Sequence, residues 1–475
     1  MRGILPRAPW RSQTAPGARD RSDGPTTTAQ HIELHGGSGI SLMGSLDAPD
    51  LAAAGYEELE LTVAGTASAW RSTTTTLPFD GRFRLERGPA ADYRTRVVVR
   101  RPVAPANRSG TVVLEWLNVS SGADAAPGYG FLGPEIVRRG HVWVGLSAQK
   151  AGIETAPALV DVGGIDLRGL RQQDPDRYGD LHHPGDAWSF DILTAVARAL
   201  RDPSGPAGPE ITKVVAIGES QSAYMLTTYV NGVQPVERCI DAFLIHSRGG
   251  PAAPLDGPDG RVDLDAGRHD PPVRIRDDLD VPVLVLQTET DVLGHLDYLP
   301  ARQEDAERFR LWEVAGTAHA DRSLVGDFES VLGCPTPVNR GQQRFVVRAA
   351  LRALDAWSDR VPTAPRLSVV ERTDGRAAYE LDDVGNVVGG VRTPCVDVAA
   401  EVLSGLAAPG ANRVCLLFGQ TGAVPVEDLR RRYASVDAYL TAYAAATDAA
   451  IAAGFVLSED RDEVVADARR ELITW

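Results

Sequence analysis

Apolar segments with the character of buried strands alternate along this chain with segments of helical spacing. Residues 111–119 and 141–146 are almost continuously apolar, as strands covered by helices on both faces must be. Similar segments recur at residues 211–217, 240–245, 281–286 and 309–314. Apolar residues at helical spacing occupy residues 134–139, 187–200, 223–230 and 344–357. This alternation predicts an α/β fold with a mostly parallel central sheet flanked by helices.

Two earlier segments predict an antiparallel edge to that sheet. Residues 58–63 alternate apolar with polar side chains, and residues 95–99 are rich in β-branched side chains. Both patterns are typical of strands. We expect them to form the antiparallel edge of the sheet.

The length of 475 residues fits one enlarged domain, because a large α/β domain with insertions can absorb most of such a chain. Residues 1–30 are predicted to be a disordered tail, and residues 31–475 a single domain. Residues 362–475 are expected to be a C-terminal extension packed on the body, with helical stretches at 435–453 and 460–472.

Two long segments, residues 152–186 and 249–280, leave from the carboxyl ends of predicted strands. The second is rich in proline, glycine and aspartate, as loops and small caps are. Because open α/β sheets bind ligands at the carboxyl ends of their strands, we expect both segments to form pocket walls.

The charge and composition exclude several classes of partner. The net charge of −15 opposes binding to nucleic acid or anionic membranes, since both need clustered lysine and arginine. No apolar run is long enough for a membrane span, and the first 30 residues lack the apolar centre of a signal peptide. We therefore expect a cytoplasmic protein with no nucleic-acid or membrane partner. The oligomeric state stays open.

The four cysteines predict neither a disulfide scaffold nor a metal clip. Cys239, Cys334, Cys395 and Cys415 are widely separated, whereas metal clips place two cysteines close together. We expect reduced, mostly buried thiols.

A second candidate metal site is the group of His182, His183 and Asp186. No coherent ligand set accompanies these residues, so a hydrogen-bonding loop is the favoured interpretation. The sequence predicts no metal ion and no organic cofactor.

The pentapeptide Gly-Glu-Ser-Gln-Ser at residues 218–222 follows a predicted strand and precedes a predicted helix. A serine on such a sharp turn needs small neighbours two positions away, and Gly218 and Ser222 are small. The turn also places the backbone N–H of Gln221 where it can stabilise an oxyanion. The context predicts Ser220 as a nucleophile.

A serine nucleophile needs a base and an orienting acid, which in this strand-turn-helix setting follow in the order serine, acid, histidine. His319 follows the strand at residues 309–314 on a loop of small residues and is the predicted base. The strand at residues 281–286 is followed by Glu289 and Asp291. We favour Asp291 as the acid by its spacing, with Glu289 as the alternative.

Further site residues are predicted from the ends of other strands. A second oxyanion donor is expected from the loop at residues 118–122, at Val119 or Ser120. Candidate substrate contacts, each weaker, complete the set: Trp116, Asn118, His246 and Arg248. The sequence His-Gly-Gly-Ser-Gly at residues 35–39 resembles an oxyanion loop but precedes the predicted parallel strands, so we interpret it as a glycine-rich turn.

Five motifs of this chain resemble those of the alpha/beta hydrolase domain-containing proteins: TVVLEWLNVSSG, IGESQSAYMLTTYVNGVQP, VPVLVLQTETDV, FRLWEVAGTAHAD and VGNVVGGVRTPCVDV. They span roughly residues 55–475. The resemblance implies an α/β-hydrolase fold and a triad of Ser220, His319 and one of Glu289 and Asp291. It names no substrate.

Together these residues predict a serine hydrolase that cleaves a small-molecule carboxylic ester through an acyl-enzyme. An acyltransferase or a lactonase would use the same triad and is an alternative. A non-catalytic binding protein that retains the fold is another, since fold does not imply activity.

Overall fold

The computed structural model describes residues 30–44, 48–155, 158–159 and 167–475. The predicted tail at residues 1–30 lies outside the described residues except for Gln30, and so does part of the predicted pocket wall at residues 152–186. Nine strands form the main sheet: β1 (Gln30–Glu33), β2 (Tyr56–Ser72), β3 (Leu85–Pro102), β4 (Thr111–Trp116), β5 (Val142–Leu146), β6 (Lys213–Glu219), β7 (Ala242–His246), β8 (Val283–Thr288) and β9 (Phe309–Val314).

The main sheet has the order β1-β2-β3-β5-β4-β6-β7-β8-β9. Strands β1, β2, β3 and β5 pair antiparallel, whereas β5, β4, β6, β7, β8 and β9 run parallel. The predicted α/β architecture with an antiparallel edge is therefore confirmed. Because the six parallel strands end at one edge, the loops that follow them meet there.

Helices cover both faces of the sheet. The α-helices are α1 (Pro127–Arg139), α2 (Lys150–Ile153), α3 (Leu170–Gln173), α4 (Pro175–Tyr178), α5 (Asp186–Ala199), α6 (Gln221–Thr228), α7 (Gln234–Glu237), α8 (Leu264–Gly267), α9 (Glu289–Leu293), α10 (Arg322–Val325), α11 (Gln343–Asp355), α12 (Pro394–Asp397), α13 (Cys415–Phe418), α14 (Val426–Arg432), α15 (Val436–Ala452) and α16 (Arg461–Ala466). Side chains of α5 and α6 pack on one face and those of α1 and α11 on the other. Successive residues of β4 alternate between these two cores, as the period of a strand requires.

The hairpin of β2 and β3 is much longer than the predicted segments 58–63 and 95–99. It extends beyond the sheet over α5, where Trp70 is buried and the Ser68 N–H donates to the Asp191 carboxylate at 2.7 Å. Small and β-branched residues with little apolar periodicity make up this part of β2, so no sequence pattern marked it as a strand. Packing against the helix supplies the missing stabilisation.

Residues 362–475 contain two small antiparallel sheets, β10 (Val369–Glu371) with β11 (Ala377–Tyr379) and β12 (Glu401–Ser404) with β13 (Gln420–Ala423). This segment packs on the body, because Val391 pairs with Val314 at the end of β9. The helix predicted at residues 460–472 is wrong beyond Ala466. There the Arg469 N–H donates to the Tyr439 hydroxyl at 3.0 Å and not to a helical carbonyl, which ends the helix.

Cys334 and Cys415 form a disulfide bond, with their Cα atoms 5.6 Å apart. The prediction of reduced thiols is therefore wrong for this pair. The two residues are 81 positions apart in the sequence, so only the folded chain reveals their proximity. Cys239 and Cys395 are free thiols.

Across the described part of the chain, none of the helices combines the length and apolar character that a membrane span requires.

Candidate active site

Ser220 lies on a sharp turn between the end of β6 and the start of α6. Its φ of 58° and ψ of −120° fall in a region that non-glycine residues rarely occupy. The turn requires glycine two positions earlier, because a Cβ on Gly218 would lie 2.9 Å from the carbonyl oxygen of Ser222. This backbone leaves the Ser220 side chain half-buried at the carboxyl edge of the sheet.

Ser222 stands where a second glycine is commoner, and its hydroxyl braces the turn. The Glu219 N–H donates to Ser222 Oγ at 3.0 Å, and Ser222 Oγ donates to the Glu219 carbonyl at 2.9 Å. The Ser220 N–H donates to the His246 carbonyl at 3.0 Å. The strained turn is thus held by hydrogen bonds on both sides.

His319 links Ser220 to Asp291. Its Nε2 lies 2.7 Å from Ser220 Oγ, and its Nδ1 lies 2.7 Å from Asp291 Oδ1. Only 3% of the His319 surface is exposed, and its backbone N–H donates to Thr290 Oγ1 at 3.1 Å. The structure therefore brings the predicted nucleophile, base and favoured acid into one hydrogen-bonded row.

The other oxygen of Asp291 has two donors. Oδ2 accepts from the Thr288 N–H at 2.7 Å and from the Ser247 hydroxyl at 2.7 Å. Sequence reasoning missed Ser247, although it directly follows β7 at the same edge of the sheet. These bonds fix the carboxylate in the orientation that faces His319.

Glu289, the alternative acid, faces away from His319. Its two carboxylate oxygens accept from the Gly316 N–H at 2.6 Å and the Gly405 N–H at 2.8 Å. Burial raises its pKa to about 7, although both N–H groups oppose the shift. Glu289 thus joins the histidine loop to the segment beyond residue 362, and the geometry favours Asp291 as the partner of His319.

The loop at residues 118–122 lies beside the serine turn, as predicted. Its Val119 N–H donates to Gln221 Oε1 at 3.3 Å, whereas the Ser120 N–H donates to Asn118 Oδ1 at 2.8 Å. Asn118 Nδ2 in turn donates to the Glu219 carbonyl at 3.0 Å. Of the two predicted donors, Val119 is the one whose N–H is directed toward the residue after the serine.

Three predicted substrate contacts are wrong because their side chains are buried: Trp116, His246 and Arg248 have 0%, 2% and 0% exposure. Trp116 Nε1 donates to Gln149 Oε1 at 3.0 Å, and Gln149 also accepts from the Gln221 amide at 2.5 Å. His246 packs edge-on against Phe131. These side chains support the floor of the site, and Gln149 is a support that sequence reasoning missed.

Arg248 holds the loop that follows it. Its Nε and Nη2 donate to the carbonyls of Gly249 and Gly250 at 2.9 and 2.8 Å, and Nη2 also donates to Val273. A buried guanidinium whose donors are directed at backbone carbonyls organises structure and leaves little for a ligand. Arg248 therefore shapes the predicted wall at residues 249–280 from within.

The group around His183 and Asp186 is a hydrogen-bonding loop, as predicted. His183 Nε2 lies 2.9 Å from the Ala148 carbonyl, while Asp186 accepts from the N–H groups of Lys150 and Val262 at 2.9 and 2.8 Å. Asp186 thereby connects the two predicted pocket walls. Over the described ranges, no group of three or more His, Cys, Asp or Glu side chains is arranged to hold a metal ion.

Electrostatics make His319 a stronger base than an isolated imidazole. Burial alone would lower its pKa, but the hydrogen bond from Asp291 and the charges of Glu219 and Asp291 raise it above the ordinary value. Burial lowers the pKa of the neighbouring His246 to about 4. A hydroxyl, a basic imidazole and an ionised carboxylate in this order can remove the serine proton and hold it on His319.

A family model described as "Alpha/beta hydrolase domain" matches residues 22–466 of the chain. No curated protein matches it.

Solved structures with a similar chain path include three hydrolases. Est1E of Butyrivibrio proteoclasticus with bound ferulic acid is 13% identical, covers 60% of this chain and 100% of its own, and has a TM-score of 0.33. One of two fungal esterases from Rhizomucor miehei is 13% identical, with 62% and 84% covered and a TM-score of 0.31. An α/β serine hydrolase without a lid from Xanthomonas campestris is 15% identical, with 57% and 92% covered and a TM-score of 0.31. Such scores carry no information about substrate.

Proposed function

The chain belongs to the alpha/beta hydrolase domain family, and on this premise we propose that it is a serine hydrolase that cleaves a small-molecule carboxylic ester. Ser220 is the nucleophile, His319 the general base and Asp291 the orienting acid. The observation that carries the proposal is the row of two 2.7 Å contacts through His319 that joins Asp291 to a half-buried serine hydroxyl.

In the first half of the reaction Ser220 Oγ attacks the ester carbonyl carbon while its proton moves to His319 Nε2. The backbone N–H groups of Gln221 and Val119 stabilise the negative oxygen that forms. For Val119 to do so, its N–H exchanges Gln221 Oε1 for that oxygen. His319 then protonates the leaving alcohol as the carbon–oxygen bond of the ester breaks.

In the second half a water molecule attacks the acyl carbon and gives its proton to His319, which returns that proton to Ser220 as the acid leaves. Asp291 stays ionised throughout, because it accepts from Thr288 and Ser247 as well as from His319. Its role is to hold the imidazole with Nε2 toward the serine.

Two other functions use the same fold. An acyltransferase or a lactonase differs only in the acceptor or in the ring of the ester, so product analysis with and without an added alcohol distinguishes them. A non-catalytic binding protein would bind esters without turnover. The intact hydrogen-bonded row favours an enzyme.

The test uses a fluorophosphonate probe and a panel of esters of graded acyl length. We expect the wild-type protein to be labelled on Ser220 and to hydrolyse at least one ester, and Ser220→Ala to lose both properties while keeping its thermal midpoint. Absence of labelling and turnover in folded wild-type protein, or full activity in Ser220→Ala, would overturn the proposal.

The expected cytoplasmic location and the absence of a nucleic-acid partner stay predictions. Structural disulfides persist chiefly in oxidising compartments, so the bond between Cys334 and Cys415 counts against a cytoplasmic location.

A further inference from the structure

A second carboxylate faces the nitrogen of His319 that faces Ser220. Glu219 Oε1 lies 3.4 Å from His319 Nε2, and Glu219 Oε2 lies 3.5 Å from Asn118 Nδ2. Glu219 is only 5% exposed. Its backbone is bonded to Ser222 through both N–H and carbonyl, so its position directly before the nucleophile is fixed.

Glu219 has no permanent counter-ion among the described residues. Its one ion pair there is with His319, and neither an arginine nor a lysine reaches its carboxylate within that part of the chain. A buried carboxylate without a cation is costly. The positive charge that can compensate it is the imidazolium that forms when His319 takes up a proton.

We propose that Glu219 is a positioning residue that accepts the Nε2 proton of His319 in a hydrogen bond during each half-reaction. The inference rests on the proposed function, because it concerns the protonated state of the same histidine. When Ser220 Oγ binds the acyl carbon, the proton it loses lies on Nε2. Glu219 Oε1 is then an acceptor that holds this N–H near the leaving oxygen until the carbon–oxygen bond breaks and the proton is transferred. Glu219 itself gains and loses nothing.

The surrounding charges define what its removal does. Three carboxyl groups face this volume: Glu219 itself, Asp291 from α9 and Glu115 from β4, and two imidazoles, His319 and His246. Burial raises the pKa of Glu219 to about 7, the charge of His319 lowers it and that of Asp291 raises it. Glu219 and His319 therefore titrate as a coupled pair.

The sign of the effect follows from this pair. Ionised Glu219 favours the protonated form of His319, so its loss lowers the pKa of His319. In Glu219→Gln the acid limb of kcat/KM moves to lower pH, because His319 stays a free base in more acidic solution. The plateau of kcat/KM falls at the same time, because the imidazolium of the transition state loses a partner. A merely structural role would lower activity without moving the limb.

The experiment measures kcat/KM against pH for the best ester found and the rate of fluorophosphonate labelling. We expect Glu219→Gln to shift the acid limb by about one pH unit downward and to lower the plateau by about tenfold. Glu219→Asp keeps the charge but withdraws it by one methylene, so its shift should be smaller in the same direction. If Glu219→Gln does not fold, the Glu219→Asp profile alone decides.

The matched control is Glu115→Gln. Glu115 is a buried carboxyl whose pKa burial also raises to about 7, but it accepts from Gly128, Tyr129 and Trp143 and does not contact His319. Its profile should keep the acid limb of the wild type. If the Glu219 profiles superimpose on that of the wild type, the inference is overturned while the serine hydrolase stands. If the wild type itself neither labels nor turns over, both fall.

Discussion

The body of the protein and the segment beyond residue 362 are built in different ways. In the body, six parallel strands place the loops after β6, β8 and β9 at one edge, and the serine, acid and histidine come from those loops. The later segment has strands of three or four residues. It is attached through individual contacts to the backs of the same loops.

Three of those attachments define the relation between the two regions. Val391 pairs with Val314 at the end of β9, Gly405 donates to Glu289 beside the acid, and Cys415 is bonded to Cys334. Near the histidine itself, the Ala320 N–H donates to the Leu417 carbonyl at 3.0 Å. The difference teaches that reacting groups come from the regular region and that the irregular region supports their loops. Changes in the first should act on rate, and changes in the second on stability.

The largest effect is expected for Asp291→Asn in the body. An amide at this position cannot hold His319 in the tautomer that leaves Nε2 free to accept, so kcat should fall by about 10⁴-fold. The thermal midpoint should change far less. Ester hydrolysis and a melting curve on the same sample measure both quantities, and activity above one tenth of the wild type would assign the acid elsewhere.

Glu289→Ala, at the junction, should have an intermediate effect of the opposite kind. It leaves the buried N–H groups of Gly316 and Gly405 without their acceptor, each at a cost of about 1–3 kcal/mol. The free energy of unfolding in urea should therefore fall by about 2–6 kcal/mol in total. In the folded protein kcat should drop far less than in Asp291→Asn. A loss of kcat equal to that of Asp291→Asn would identify Glu289 as the acid instead.

The smallest effect is expected for the double change Cys334→Ser and Cys415→Ser, which removes the covalent link. Closing a long loop typically stabilises a protein by about 2–4 kcal/mol, and the unfolding free energy should fall by that amount with kcat retained. Cys239→Ser, at a buried free thiol, is the control for loss of a sulfur atom. Equal stability of the double variant and the wild type would show that the link contributes nothing.

Much of the fold could be read from the sequence, because local chemistry states it. Continuous apolar strands followed by helical spacing reported the parallel sheet, and the short pentapeptide between one such strand and helix marked the turn at Ser220. The long hairpin of β2 and β3 escaped this reading, since its outer part is stabilised by contact with α5 and not by its own pattern. The end of α16 escaped it as well, because a distant tyrosine hydroxyl captures the Arg469 N–H.

The sequence by itself determined the kind of site, through the order of strand ends that deliver Ser220, an acid and His319 to one edge. It could not choose between Asp291 and Glu289, because two carboxylates two residues apart on a short helix point in different directions. Only the tertiary structure decided which of them faces His319, that Arg248 is buried, that Glu219 lies beside Nε2 and that Cys334 meets Cys415. Each of these depends on contacts between residues far apart in the chain, and such contacts exist only once the sheet has brought its loops together.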